Sequence, residues 1–275
     1  MTVHVIVWDD REPAGGGPAP ADAAPALFVH NIFSWGSDPA YGFAGQRPLA
    51  DGRRLLLMDR RGYGDSPDTA RSDFDVDAED VLEILEGEAV TAAGPGGAHL
   101  VGHGNGAVAA LIAAARRPDL VRSLALVQPS AFTAAAHHPV VAALLGRVRD
   151  GAPGIPDSVT PEQYLRASTE GLGMAMPDPT PRRLRAVATS MRERPIWEAE
   201  IPLEPIRAAA PPVLVICGTW EDAPDAYREH VGLPLMAVAE SLTDSLGGRL
   251  LRVPGYYPHT QEATAVNAAL REFWG

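Results

Sequence analysis

The sequence predicts a doubly wound α/β fold with a mostly parallel sheet, and three observations predict it. Short apolar runs are spread along the whole 275 residues. Longer helical patterns separate most of them. Most runs are continuously apolar rather than alternating, as strands covered on both faces require. In chain order the expected strands are 3–8, 26–30, 54–58, 99–101, 124–127, 213–217 and 250–253. Helical patterns occupy 77–90, 106–116, 223–246 and 261–273, and this alternation is what a doubly wound sheet looks like in sequence. Residues 131–210 break the rhythm, with helical patterns and no convincing strand. They read as a helical cap inserted before the penultimate strand, which leaves 1–130 and 211–275 as the core. The arginines of this segment, Arg182, Arg183, Arg185, Arg192 and Arg194, read as a solvated helix face. The stretch 14–25, AGGGPAPADAAP, reads as a surface loop.

Composition narrows the function. Hydrophobic residues make up 46% and charged residues 21%, enough for a full core and unlike a disordered chain. A net charge of −12 argues against nucleic-acid binding, since nothing would neutralise a run of phosphates. All 23 basic residues are arginine. The lack of lysine removes Schiff-base chemistry and a phosphate loop with its lysine. The single cysteine, Cys217, sits in an apolar run and reads as a buried, inert thiol. Neither a signal-peptide pattern nor a run of 18 apolar residues is present, so a cytoplasmic protein without a membrane span is expected. A small-molecule substrate is the expected partner, and monomer and homodimer are both compatible with the acidic surface. The scattered histidines carry no zinc signature, so neither a metal nor a cofactor is expected.

The most informative segment runs from His99 to Pro118: an apolar strand, a Gly-rich turn and an Ala-rich helix. Such a turn presents free backbone N–H groups at a helix N-terminus. Gly102, Gly104 and Ala107 satisfy the dinucleotide pattern G-x-G-x-x-A, but the motif follows several strands instead of opening the fold. The next strand also ends Leu126-Val127-Gln128, without the acidic residue that binds a ribose. The second pattern is the nucleophile elbow G-x-S-x-G, which Gly102-His103-Gly104-Asn105-Gly106 fits everywhere except at its centre.

Here the chain resembles the α/β-hydrolase fold superfamily over nearly its whole length. Val29-His30-Asn31 resembles the strand-ending His-Gly of that family, with Asn in place of Gly. The run from Asp59 to Ser66 resembles its D-x-R-G-x-G-x-S turn. Gly218-Thr219-Trp220-Glu221-Asp222 resembles the loop of the catalytic acid, and the run from Pro254 to His259 that of the catalytic histidine. The resemblance implies a serine nucleophile, a histidine base, an orienting acid and a backbone oxyanion hole. Gly104 has no side chain, so no acyl-enzyme can form there. Counted from the strand, the family histidine would fall near Pro258; counted back from the last helix, on Tyr256. His259 lies within reach of both and is the candidate base, with Glu221 or Asp222 as its acid.

The N–H groups around Asn105 and Ile32 are expected to form the oxyanion hole beside Gly104. His30, His103, Phe33, Ser34, Trp35, Trp220, Tyr256 and Tyr257 are the candidate substrate-binding residues, and their aromatic content suggests an aromatic or polycyclic ligand. Three functions stand at this point. One is an enzyme that moves protons with a His/acid pair and no acyl-enzyme, as a lyase, cyclase, isomerase or cofactor-free oxygenase of natural-product type. Another is a hydrolase that activates water directly. The third is a catalytically degenerate small-molecule-binding protein.

Overall fold

The computed structural model describes residues 2–11, 23–91, 96–149 and 154–275; most of the loop expected at 14–25 lies outside them. All the expected strands form: β1 (Val5–Trp8), β2 (Ala26–Val29), β3 (Leu55–Met58), β4 (Ala98–His103), β5 (Val121–Val127), β6 (Val213–Gly218) and β7 (Arg249–Val253). They make one sheet in the order β1-β3-β2-β4-β5-β6-β7. Only β1, at the edge, runs antiparallel to its neighbour. β4 and β5 outrun their apolar cores because they pair with each other from Ala98↔Val121 to His103↔Val127. That extension carries Gly102 and His103 into the sheet and sets the start of the turn after them.

The sheet has two buried faces, and the strands serve them by alternation. Leu27, Val29, Leu56, Met58, Leu100 and Leu126 face one core, while Ala26, Phe28, Leu55, Leu57, Val101 and Val127 face the other. The first core is covered by α1 (Phe74–Glu86), α2 (Asn105–Arg116) and, later in the chain, the helix Leu233–Leu246. α1 starts three residues before the expected 77, because the Asp73 carboxylate accepts the Asp75 N–H at 2.9 Å and caps it. Cys217 is buried in this core, and burial pushes its thiol up to about 11, as an inert thiol requires.

Between β5 and β6 lie α3 (Pro139–Arg149), α4 (Pro161–Thr169), α5 (Pro181–Ser190) and α6 (Leu203–Ala209), with no strand among the described residues. The segment is not uniform. α4 and α5 pack on each other over the carboxyl ends of the strands, whereas Ile196, Ala199 and Ile206 join the first core. α7 (Leu233–Leu246) and α8 (Ala263–Trp274) complete the layers. The helix expected from 223 forms: helical backbone runs from Asp225 into α7, widened to a π-turn at Arg228–Gly232 just ahead of Pro234.

The arginines of α5 do not form a solvated face. Arg183 is 4% exposed and bidentate on the buried Asp38 carboxylate at 2.5 and 2.6 Å. On the same helix Arg182 pairs with Asp65 and Arg185 with Asp68; beyond its end Arg194 pairs with Asp75, while Arg192 is exposed, as expected. The acids were too far off in sequence to suggest this pairing. No helix among the described residues is long and apolar enough to cross a membrane.

Candidate active site

The turn after β4 places Gly104 at φ 55, ψ −116, a conformation open to glycine at little cost. The Gly104 N–H donates to the Val127 carbonyl at 3.1 Å, and its own carbonyl accepts the Ala107 and Ser130 N–H groups at 3.1 Å each. A Cβ atom added to Gly104 would overlap the carboxamide of Asn31 at Cγ, Oδ1 and Nδ2. The side chain absent from position 104 is thus replaced in space by one supplied from the end of β2. Asn31 Oδ1 accepts the Asn105 N–H at 2.9 Å. The oxyanion hole expected at Asn105 is therefore not open: its donor already holds an oxygen of the protein. With Oδ1 fixed by that bond, the Asn31 amide nitrogen is the free end, and it makes no hydrogen bond among the described residues.

Three buried histidines surround this point. His30 has a structural role: its Nε2 accepts the Arg60 N–H at 3.0 Å, which leaves Nδ1–H to donate to the Asn31 carbonyl at 2.6 Å. Burial first, and then Arg60, hold its pKa down at about 3. Ser34, a candidate binding residue, is fully buried, donates to the same Asn31 carbonyl at 3.0 Å and does not line the cavity. The His103 and His259 rings pack with centroids 4.1 Å apart. His259 Nε2–H donates to the Tyr41 carbonyl at 3.2 Å, while its Nδ1 is buried without a partner. Burial lowers the His259 pKa to about 4. The His103 pKa is pushed well below its ordinary value, by burial foremost and then by the two neighbouring histidines.

The expected His/acid pair does not form. Glu221 and Asp222 are exposed, and neither makes a hydrogen bond or ion pair among the described residues. The cause is the turn at Trp220, which sits at φ 62 and donates its N–H to the Gly255 carbonyl at 3.1 Å. That turn drives the indole into the protein beside Gly232 and leaves the two acids facing water. His259 in turn sits behind His103 and Phe43, on the short helical stretch Pro258–Gln261, rather than in the cavity wall. The loop before it is drawn tight: Gln261 Oε1 accepts the N–H groups of Tyr256 and Tyr257 at 2.7 Å each.

A cavity of about 250 Å³ opens above Asn31, His103 and Asn105. Ile32, Phe33 and Tyr257 line it as expected. The other candidate binding residues stand back. Trp220 is fully buried in a satellite cluster with Tyr227, and Tyr256 packs beside it at 6.1 Å. Trp35 lies under the guanidinium groups of Arg182 and Arg183, each 4.8 Å from its ring. The sequence reading missed Asn31, Tyr41, Gln128 and Tyr227, which also line the cavity, and Tyr164 of α4 above it. Asn31 carried a visible signal, since it departs from the family glycine; Tyr164 carried none. The Tyr227 and Tyr257 hydroxyls are 2.8 Å apart. Burial lifts Tyr41 to about 12 and the other two higher still, so all three are neutral phenols at pH 7. Among the described residues no acidic side chain and no arginine lines the cavity. His4, Asp59 and Asp65 form the cluster with metal-ligand spacing, but Asp59 accepts the Gly36 and Asp65 N–H groups and has Arg182 at 3.6 Å, which suits a turn anchor better than a cation site.

The sheet order, the elbow after β4 and a sequence match agree on the class. Residues 26–154 match the family model of the alpha/beta hydrolase fold, and the chain has that fold. It is 28% identical over 116 residues to an sn-1-specific diacylglycerol lipase of Danio rerio and 30% identical over 105 residues to that of Mus musculus. Those stretches cover 42% and 38% of this chain, and 35% and 32% of the lipases, so the chain matches about a third of the length of these relatives. Among solved structures it resembles a thermophilic esterase from Thermogutta terrifontis, with TM-score 0.60, 20% identity and coverage of 98% of this chain and 92% of the esterase. It also resembles an enol-lactonase from Burkholderia xenovorans, with TM-score 0.59, 18% identity and coverage of 98% and 95%. At these identities the structural likenesses concern the fold.

Proposed function

We propose that this chain is a small-molecule enzyme of the α/β-hydrolase fold that works without an acyl-enzyme, on a neutral and largely aromatic ligand, with His103 as the proton acceptor. The observation that carries this reading is the Asn31 carboxamide in the space of the missing nucleophile. Absence of charge in the cavity wall selects a neutral ligand, because an ion there would lose its hydration without a counter-charge. A volume of about 250 Å³ lies below the range of roughly 300–1,000 Å³ common for drug-sized ligands, which favours one or two rings over a polycycle. His103 lines the floor and is neutral at pH 7, so it can accept a proton, and because burial weakens it as a base the donor it suits is an acidic hydroxyl of the ligand. The helical segment 131–210 acts as the cap of this site, through α4 and the turn that follows it. Hydrolysis by water activated at His259 is disfavoured by the position of that ring behind His103.

Binding without turnover is the second reading, and one observation favours it: no carboxylate orients any of the three histidines. The two readings separate by experiment. A panel of neutral one- and two-ring hydroxyaryl and carbonyl compounds, screened by thermal shift, identifies ligands; each is then incubated and followed for product by mass spectrometry. Conversion that falls by about 10²–10⁴ in His103→Ala, with binding retained, is the expected result for general-base chemistry. Binding with no conversion of any ligand establishes the second reading. A fluorophosphonate adduct on the unmodified chain would overturn both.

A further inference from the structure

The replacement of one side chain by another at the elbow points to a specific device. We propose that Asn31 is a built-in plug: its carboxamide occupies the position of a substrate acyl group, and the Asn105 N–H beneath it is a carbonyl-binding donor that becomes available only when Asn31 is displaced or removed. Three observations carry this. The Asn31 Oδ1–Asn105 N distance of 2.9 Å is that of an ordinary amide hydrogen bond, made with the group that a bound carbonyl would use. The carboxamide overlaps the volume of any side chain at 104, so positions 31 and 104 compete for one space. And the backbone that holds Asn31 does not depend on its side chain: His30 Nδ1–H and the Ser34 hydroxyl both donate to the Asn31 carbonyl, which a glycine retains.

Two of the departures from the family pattern, Asn at 31 and Gly at 104, are then one reciprocal exchange. The elbow keeps its sharp positive-φ turn, φ 55 and ψ −116, although no nucleophile needs to be presented there. Its present use is to hold the Asn105 N–H against Asn31 Oδ1. The exposed end of the plug, the Asn31 amide nitrogen, is a hydrogen-bond donor next to a neutral cavity, so the ligand class is a neutral carbonyl compound: an ester, lactone, ketone or amide whose oxygen meets that donor or displaces the plug. This ligand class rests on the proposed small-molecule site, whereas the plug itself does not.

The native chain makes the test clean, because its one cysteine, Cys217, is buried with a pKa near 11. Gly104→Cys, Asn31→Gly and the double variant are prepared, checked for folding by circular dichroism, and compared in thermal stability and in the rate of alkylation by iodoacetamide. Backbone strain at φ 55 is common to both cysteine variants and cancels in the cycle. Expected results are an alkylation rate at least about tenfold higher for the double variant than for Gly104→Cys alone, and a melting temperature that Asn31→Gly raises in the cysteine background although it lowers it in the native one. Equal alkylation rates together with additive shifts would overturn the plug. Separately, a neutral aryl ketone tested by thermal shift should bind Asn31→Gly better than the native chain. If the cycle shows coupling but the ketone binds neither protein, the plug stands and the small-molecule reading fails.

Discussion

Gln128 illustrates what one residue does at the crest of the sheet. It follows β5 with φ 43, which costs a non-glycine residue free energy, yet three bonds hold it there. Its N–H donates to the Ile216 carbonyl at 2.8 Å, its amide nitrogen to the Tyr256 carbonyl at 2.9 Å, and its Oε1 accepts the Gly218 N–H at 3.3 Å. It therefore joins the ends of β5 and β6 to the loop carrying Tyr256 and Tyr257, in the cavity wall. Gln128→Ala keeps the main-chain bond and loses the other two, leaving buried partners unsatisfied. We expect a loss of about 1–3 kcal/mol in denaturant unfolding, with weaker ligand binding through the loosened Tyr257. In the sequence Gln128 was notable only as a strand end without an acid. The same limit applies to Asn31 and Gly104: each departure was legible alone, but that one fills the place of the other is a distance across the fold, which no spacing encodes.

At the scale of elements, the strands were legible because burial on both faces leaves an unbroken apolar run, and α2 because an Ala-rich stretch follows a glycine turn. α5 was misread for the opposite reason. An arginine-rich helix looks solvated unless its acids are known, and Asp38, Asp65 and Asp68 lie on loops far away in sequence. The Arg183–Asp38 pair is the centre of this clamp, since both groups are nearly inaccessible and Trp35 and Tyr41 flank the guanidinium at 4.8 and 5.2 Å. Taking away one partner strands a buried charge, so Asp38→Ala should cost about 3–5 kcal/mol. Replacing both at once, with Asp38→Leu and Arg183→Met, should recover most of that loss. Because α5 packs against α4, which carries Tyr164 into the cavity, the single variant should also weaken ligand binding while the double does not. Urea unfolding of the three proteins, with ligand titration, measures both. A harmless Asp38→Ala would show that α5 is held by its apolar contacts alone.

The whole molecule carries a pH dependence written in its buried histidines. Burial holds His30 and His99 at about 3 and His259 at about 4, and His103 is pushed well below the ordinary 6.5. The folded chain therefore stays neutral at these positions while the unfolded chain takes up protons as pH falls below about 6.5. Their contribution to stability is fully present above that pH and is lost progressively as pH falls from about 6.5 toward the folded values of about 4 and 3. Asp77 works the other way. Burial raises it to about 6 against the pull of Arg60, so in the fold it holds a proton that the unfolded chain releases down to about 3.8. Four histidines against one aspartate leave a net uptake of roughly three protons on unfolding near pH 5, each worth about 1.4 kcal/mol per pH unit. Stability from urea titrations should thus fall steeply from pH 6.5 to 5 and change little from 8 to 7. His99 gives the control, because it lies away from the cavity, with Nδ1 2.7 Å from the Ser123 hydroxyl and its ring 5.3 Å from that of Trp274. His99→Gln should reduce the slope by about one proton and leave ligand binding intact. A slope that His99→Gln does not change would mean that the acid sensitivity arises elsewhere.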